Sequence, residues 1–256
     1  RLARLRAVVD GAEVDRKDVT RIADRLRIAL RLDDDLSGFY ETCAAHPTLH
    51  VLPKIGAGRL LRCASMTENI LKAICGTNVN WNQAVKMINR IAQLGPIFPH
   101  FRNLHAWPTP EEILRAGRRY LVDVCRVGYR AESILALCRD VCAGRFDPEE
   151  LDAMARCPDV STDDLLERLR SVRGVGPATA HALLGFLGRS DRLTIDTATI
   201  AHVRETYHHR RRPTARQIER RYARYGRWKN RVLWYELWLQ WATARQMLAE
   251  ARIRSR

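Results

Sequence analysis

The chain is poor in lysine, has no long apolar run and lacks the cysteine spacing of a cross-linked scaffold, and each shortage excludes something. Of 44 basic residues only five are Lys. No apolar stretch approaches the ~18–20 residues that a bilayer-spanning helix needs, so no membrane partner is expected, and no signal peptide is legible behind the initial Arg. Seven cysteines (43, 63, 75, 125, 138, 142 and 157) show no paired spacing of a secreted framework. An odd count points to reduced thiols in a cytoplasmic protein, nucleoid-associated in a bacterium. Cys138 and Cys142 lie one helical turn apart but have no second pair to complete a metal site, so both are expected in the core. No internal repeat or low-complexity segment is present.

What the chain does have is length, apolar content and unevenly placed positive charge. Its 256 residues are 46% hydrophobic and 29% charged, enough to bury a full core. The formal charge is +15, and residues 201–256 carry fifteen Lys/Arg against four Glu, or +11. That asymmetry suits a polyanionic partner, and composition alone fits a merely solvated basic face as well. "HHRRRPT" (208–214) is the one strongly basic loop.

Periodicity predicts a mainly α protein with a small β-containing portion at the N-terminus. "RLRIALRLDDD" alternates apolar and charged residues as a half-exposed strand does, and "LHVLPKIG" reads as a second strand. Asp33–Asp35 precede "LSGFY" as a water-facing helix cap. Beyond residue 59 helix signals dominate. Asn80 caps "WNQAVKMINRIAQL", and Thr109-Pro110-Glu111-Glu112 is a capping box that Asp147-Pro148-Glu149-Glu150 repeats. Ser161 and Asp196 open two more helices, and in the last long helix Trp238 and Trp241 are expected in the core. Three segments are expected: 1–60 as an N-terminal subdomain, 61–195 as one helical lobe and 196–256 as a second.

The informative stretch is "RLRSVRGVGPATAHALLGFLGRSDRLTIDTAT" (168–199). Two apolar helical patterns are joined by Gly174-Val175-Gly176, where glycine permits positive φ and close approach of another backbone. Amides at the start of the second helix suit a phosphate oxygen. An ordinary helical turn would look the same, but an aspartate, Asp196, opens a further helix twenty residues after Gly176.

This arrangement resembles the helix-hairpin-helix of the HhH-GPD superfamily of DNA glycosylases. "VGYRAESILALCRDV" is similar to the family's helix before the hairpin, "LKAICGTNVNWNQAVKMINRI" to the helix–loop–helix that wedges into DNA in the 8-oxoguanine branch, and "YGRWKNRVLWYEL" to the pocket helix. The resemblance implies a two-lobed helical fold and a monomer acting on double-stranded DNA. It implies Asp196 as the catalytic carboxylate; an N-cap position favours the anionic form, suited to stabilising a sugar cation and orienting water. The amides of Gly174, Gly176, Ala178 and Thr179 would hold a phosphate. The carbonyls of Arg170, Val172 and Val175 would hold Na+ or K+. Asn78 would fill the gap left by a flipped nucleotide, and Asn230, Trp234 and Trp81 would line the base pocket.

Two departures from the family pattern matter. Lyase-active members carry a Lys nucleophile at the second residue after the Gly-apolar-Gly; here that residue is Ala178, and no Lys occurs between Lys86 and Lys229. The expectation is a monofunctional enzyme that leaves an abasic site and requires no cofactor. Some members hold a four-cysteine iron–sulfur cluster near the C-terminus, but no Cys follows Cys157, so no cluster is expected. The target base stays open among alkylated purines, oxidised purines and hypermodified cytosine of phage DNA, the last as antiviral defence. A non-catalytic DNA-binding hairpin protein and an RNA-binding helical scaffold are the competing classes.

Overall fold

Capping chemistry sets most of the helix boundaries. The computed structural model describes residues 5–9, 13–98, 104–208, 210–240 and Gln246. These form α1 (Arg16–Leu30), α2 (Ser37–Ala44), α3 (Met66–Cys75), α4 (Trp81–Ala92), α5 (Pro110–Asp123), α6 (Arg130–Cys142), α7 (Glu150–Arg156), α8 (Thr162–Arg170), α9 (Pro177–Phe186), α10 (Thr197–Tyr207), α11 (Ala215–Tyr222) and α12 (Lys229–Trp238). Asn80, Thr109 and Ser161 close capping boxes at α4, α5 and α8 as expected, and Thr214 does so at α11. The second acidic box is different. Asp147 accepts from its near neighbour Glu149 N, while the Glu149 carboxylate crosses to α3 and accepts from Met66 N (3.0 Å), Thr67 N (3.1 Å) and Ser65 Oγ (2.8 Å). One helix thus caps another.

The expected N-terminal β structure is not found: no strand occurs among the described residues, only an isolated bridge between Ile97 and His105. "RLRIALRLDDD" is the tail of α1. Its alternation belongs to a longer 3.6-residue pattern that starts at Asp15, whose side chain accepts from Asp18 N, and stops where Arg31 turns left-handed. "LHVLPKIG" forms two single 3-10 turns, Leu49–Val51 and Pro53–Ile55, because burying Leu49 and Leu52 needs a three-residue spacing. The acidic triplet is corrected too. The N-cap of α2 is Leu36, without a side-chain cap. Asp35, one residue earlier, accepts from Ser37 N at 2.9 Å, and Asp34 is sequestered between Arg31 (2.7 Å) and Arg231 (3.2 Å).

Two apolar cores result. Helices α3 to α9 enclose one, built on residues such as Met66, Ile91, Ile134, Leu165 and Leu184. The other joins Phe39, Cys43, Leu49 and Leu52 to Val203, Ile218, Tyr222 and Leu233. Residues 36–60 therefore share a core with α10–α12 instead of standing apart. Cys138 is in the first core and Cys142 is exposed. Trp238 packs at the edge of the second core; Trp241 lies outside the described residues.

Inside the second lobe one carboxylate organises the polar groups. Buried Glu236 accepts from His46 Nε2 (2.9 Å), His202 Nε2 (3.0 Å), Tyr207 OH (2.5 Å) and Tyr222 OH. The His46 Nδ1 accepts the amides of Thr48 and Leu49, which leaves the ring proton on Nε2 for Glu236. Burial works to raise the Glu236 pKa, but donation from His202, His46, Tyr207 and Tyr222 outweighs it and holds the group well below the usual carboxylate range. Glu236→Gln should lower unfolding stability at neutral pH by about 2 kcal/mol or more. A depressed folded pKa gives stability that is complete above the unfolded value of about 4.3 and fades as pH falls below it. The gap between wild type and variant in urea denaturation should therefore narrow from pH 7 to pH 3; an unchanged gap would contradict the assignment.

Candidate functional site

The glycine turn is built so that its far end stays open. Leu165 and Leu169 of α8, then Val172 and Val175, are buried, and Val175 N closes the turn onto Val172 O at 3.0 Å. Gly174 has φ +90, and a Cβ there would meet Ser133 Cβ and Oγ at 2.7 Å. Gly176 is different: its φ is −83, and a Cβ would find nothing within 4 Å. It caps α9 without a side-chain hydrogen bond, and Pro177 opens the helix. The first-turn amides of Ala178 and Thr179 therefore have neither an intrahelical acceptor nor a capping side chain. A bare helix start of this kind presents N–H groups and positive dipole to an anion.

The turn lies beside the loop that carries Asn78. Position 174 abuts Ser133 and Ile74, which are each one helical turn from Tyr129 and Asn78 respectively. Asn78 is held left-handed at φ +51 and donates through Nδ2 to Tyr129 OH at 3.1 Å. That contact, with a second from Thr77, holds the phenol below its usual pKa. Tyr129 is 66% exposed. Its neighbour Arg130 is buried; it clamps Thr77 O through Nε (3.1 Å), reaches Val127 O (3.2 Å) and lies 4.6 Å from the Tyr129 ring centre. An exposed amide and an exposed aromatic thus stand together on a rigid mount.

Asp196 is delivered by a strap without helix or strand, residues 193–195, which packs Leu193 and Ile195 into the second core. The strap has no partner strand, so side chains satisfy its backbone. His181 of α9 donates from Nδ1 to Leu193 O at 2.7 Å. Asn230 of α12 accepts from Thr194 N at 2.8 Å, and its own N–H binds Ser190 O at 2.9 Å. Thr199 Oγ1 donates to Thr194 O at 2.7 Å, and Thr199 N donates to Asp196 Oδ1 at 2.8 Å. Asp196 is the N-cap of α10 and is exposed, with Oδ2 outside this set of bonds.

The three expected pocket residues part company. Asn230 is 6% exposed, and its Oδ1 accepts from the strap amide of Thr194. Trp234, one turn along α12, is 43% exposed. Trp81 is 76% exposed at the first position of α4, three residues after Asn78. A cavity of about 540 Å³, lined by Arg31, Asp34, Arg189, Ser190, Trp228 and Arg231, opens at the opposite ends of α8 and α9 and includes none of these residues. Among the described residues no group of His, Cys, Asp and Glu could hold a metal ion.

Comparison with known proteins bears on the fold. No family model matches the sequence. The chain is 24% identical over 212 residues to the DNA-3-methyladenine glycosylase of Bacillus subtilis (strain 168), covering 81% of this chain and 68% of that one. It superposes on the 3-methyladenine DNA glycosylase of Archaeoglobus fulgidus with a TM-score of 0.69 at 23% identity, covering 89% and 77%. It superposes on the Clostridium acetobutylicum 8-oxoguanine glycosylase/lyase in complex with double-stranded DNA with a TM-score of 0.67 at 16% identity, covering 89% and 76%. The fold is that of the helix-hairpin-helix DNA glycosylases.

On this glycosylase fold, sequence reading had missed Tyr129 and His181. Tyr129 stands inside the quoted "GYR" and carried a visible signal, an aromatic between a glycine and an arginine. His181 carried none, because only the folded chain brings Leu193 O to it. The contrast between the two glycines is testable. Gly174→Ala should destabilise the fold by about 1–3 kcal/mol through left-handed strain and the Ser133 clash, whereas Gly176→Ala should stay within about 0.5 kcal/mol of wild type, as at an unencumbered surface position. Thermal denaturation of the two variants checks this; equal losses would refute it.

Proposed function

We propose that the chain is a DNA glycosylase that flips a modified nucleotide out of duplex DNA and hydrolyses its N-glycosidic bond with water. The observation that carries this reading is Asp196, exposed on the N-terminus of α10 at the end of a strap tied to both lobes. The amides of Ala178 and Thr179, with those of Gly174 and Gly176, receive a backbone phosphate. The carbonyls of Arg170, Val172 and Val175 are the groups that would hold Na+ or K+ at the turn; Val172 O already takes the Val175 amide and keeps a second lone pair. Asn78, with Tyr129 beside it, fills the stack behind the flipped nucleotide. Trp234 and Trp81 offer aromatic faces for an extruded base.

At the reacting sugar, the Asp196 carboxylate stabilises the oxocarbenium-like transition state and orients the attacking water. Ala178 occupies the place of a Lys nucleophile. Of the lysines elsewhere, Lys72 is paired with Glu68 (2.5 Å) and Lys229 with Glu219 (2.9 Å). The product is then an unbroken strand with an abasic site, formed without a cofactor. The substrate is a modified base, either a damaged purine or a hypermodified cytosine of phage DNA. Mass spectrometry of bases released from genomic DNAs of differing modification distinguishes these, and release of no base from any of them favours a non-catalytic DNA-binding protein.

Asp196→Asn keeps much of the cap but removes the charge. Base release should fall by at least about 100-fold, as when a main electrostatic stabiliser is lost, with DNA affinity equal or higher. Borohydride should trap no wild-type enzyme–DNA adduct. Robust excision by the variant, or a trapped adduct, would sink the proposed chemistry.

A further inference from the structure

The basic C-terminal half contains a charge that the site above does not use. Between residues 201 and 230 there are ten Lys/Arg and only two acidic residues, Glu205 and Glu219. Glu205 is taken by Arg204 (2.8 Å) and Arg210 (3.9 Å), and Glu219 by Lys229 (2.9 Å). Arg211, Arg212, Arg216, Arg220 and Arg224 are exposed, and none stands within ion-pair distance of a carboxylate among the described residues.

Three of these form a row. Ile218 and Tyr222 bury one face of α11 in the second core, at 0% exposure each. Arg216 and Arg220, at the same four-residue spacing, lie exposed about half a turn round the helix. Arg224 continues the spacing in the 3-10 turn that follows α11, exposed, with its guanidinium 4.8 Å from the Tyr225 ring centre and donating to Tyr225 OH at 2.7 Å. The loop with Arg211 and Arg212 leads into this row, and the end of α10 is fixed against it: the Arg221 guanidinium lies 3.1 Å from the Tyr207 ring centre. The row is therefore part of a rigid surface, with like charges held about 6 Å apart along the helix. Uncompensated, such an array is self-repelling, and a polyanion of regular charge spacing relieves it.

We propose that the Arg216–Arg220–Arg224 face, extended by Arg211 and Arg212, is a second DNA-backbone contact that grips duplex flanking the target nucleotide. The proposal rests on the glycosylase reading above. Helix α10 has eleven residues and so spans about 16 Å from Asp196 to the loop, or about five base pairs at 3.4 Å per step. The face meets phosphates outside the set that the glycine turn holds and contributes affinity without reading sequence.

The experiment compares wild type with R216Q/R220Q/R224Q on two duplexes across a salt series. One duplex, closed by hairpin loops, has about four base pairs on each side of the target; the other has about twelve. Each phosphate neutralised contributes about 0.9 to the slope of log K against log salt. On the long duplex the variant should lose about 2 to 3 of that slope, while on the short duplex the two proteins should bind alike. An unchanged slope on the long duplex overturns the proposal and leaves the glycosylase reading intact. So does a variant that keeps its DNA binding but loses binding to phosphatidylserine vesicles, since the face would then serve an anionic membrane. Wild type that binds neither duplex overturns the parent reading instead.

Discussion

A segment of three residues, 193–195, packs Leu193 and Ile195 into the second core without a neighbouring strand to pair its backbone. Buried amides and carbonyls without partners cost free energy comparable to lost hydrogen bonds, so the segment exists in this form only because His181, Asn230 and Thr199 supply those bonds. Each comes from a different helix. The position of Asp196 is consequently not a property of α10 alone: it follows from α9 on one side and α12 on the other. Any movement of the two lobes against each other would strain at least one of these bonds before it displaced the carboxylate.

The same logic explains why the two glycines of the turn are not equivalent. Gly174 solves an internal problem, a left-handed backbone against Ser133. Gly176 solves an external one, leaving the first amides of α9 without a side chain in front of them. Packing of the turn against Ser133 and Ile74 then sets the open start of α9 near the loop of Asn78 and Tyr129.

Polar chemistry in the second lobe is divided between inside and outside. Inside, Glu236 gathers two imidazoles and two phenols, and Asp34 gathers Arg31 and Arg231, so both buried carboxylates are met by donors. Outside, α11 exposes Arg216 and Arg220 because its apolar face is committed to Ile218 and Tyr222. The surplus charge is thus confined to the surface and kept out of the core.

Local features were legible along the chain: the helix caps at Asn80, Thr109, Ser161 and Asp196, the Gly-Val-Gly turn, the mainly helical class and the excess of Arg near the C-terminus. These depend on neighbours three or four residues away, and such interactions are readable in a linear string. Reading failed where the deciding partner is remote. The alternation in "RLRIALRLDDD" was ambiguous until the whole of α1 was set against its caps, and Asp34 looked solvated because Arg231 is far away in the chain. Asn230 was expected in the base pocket, and its bond to the Thr194 amide was not legible, since what a buried amide meets depends on what crosses it. Folding alone revealed that residues 36–60 join α10–α12, that Glu149 caps α3, and that His181 and Asn230 together hold the strap. The physical reason is that a buried polar group must be satisfied by whatever packing brings near it, and that neighbour is not encoded in sequence spacing.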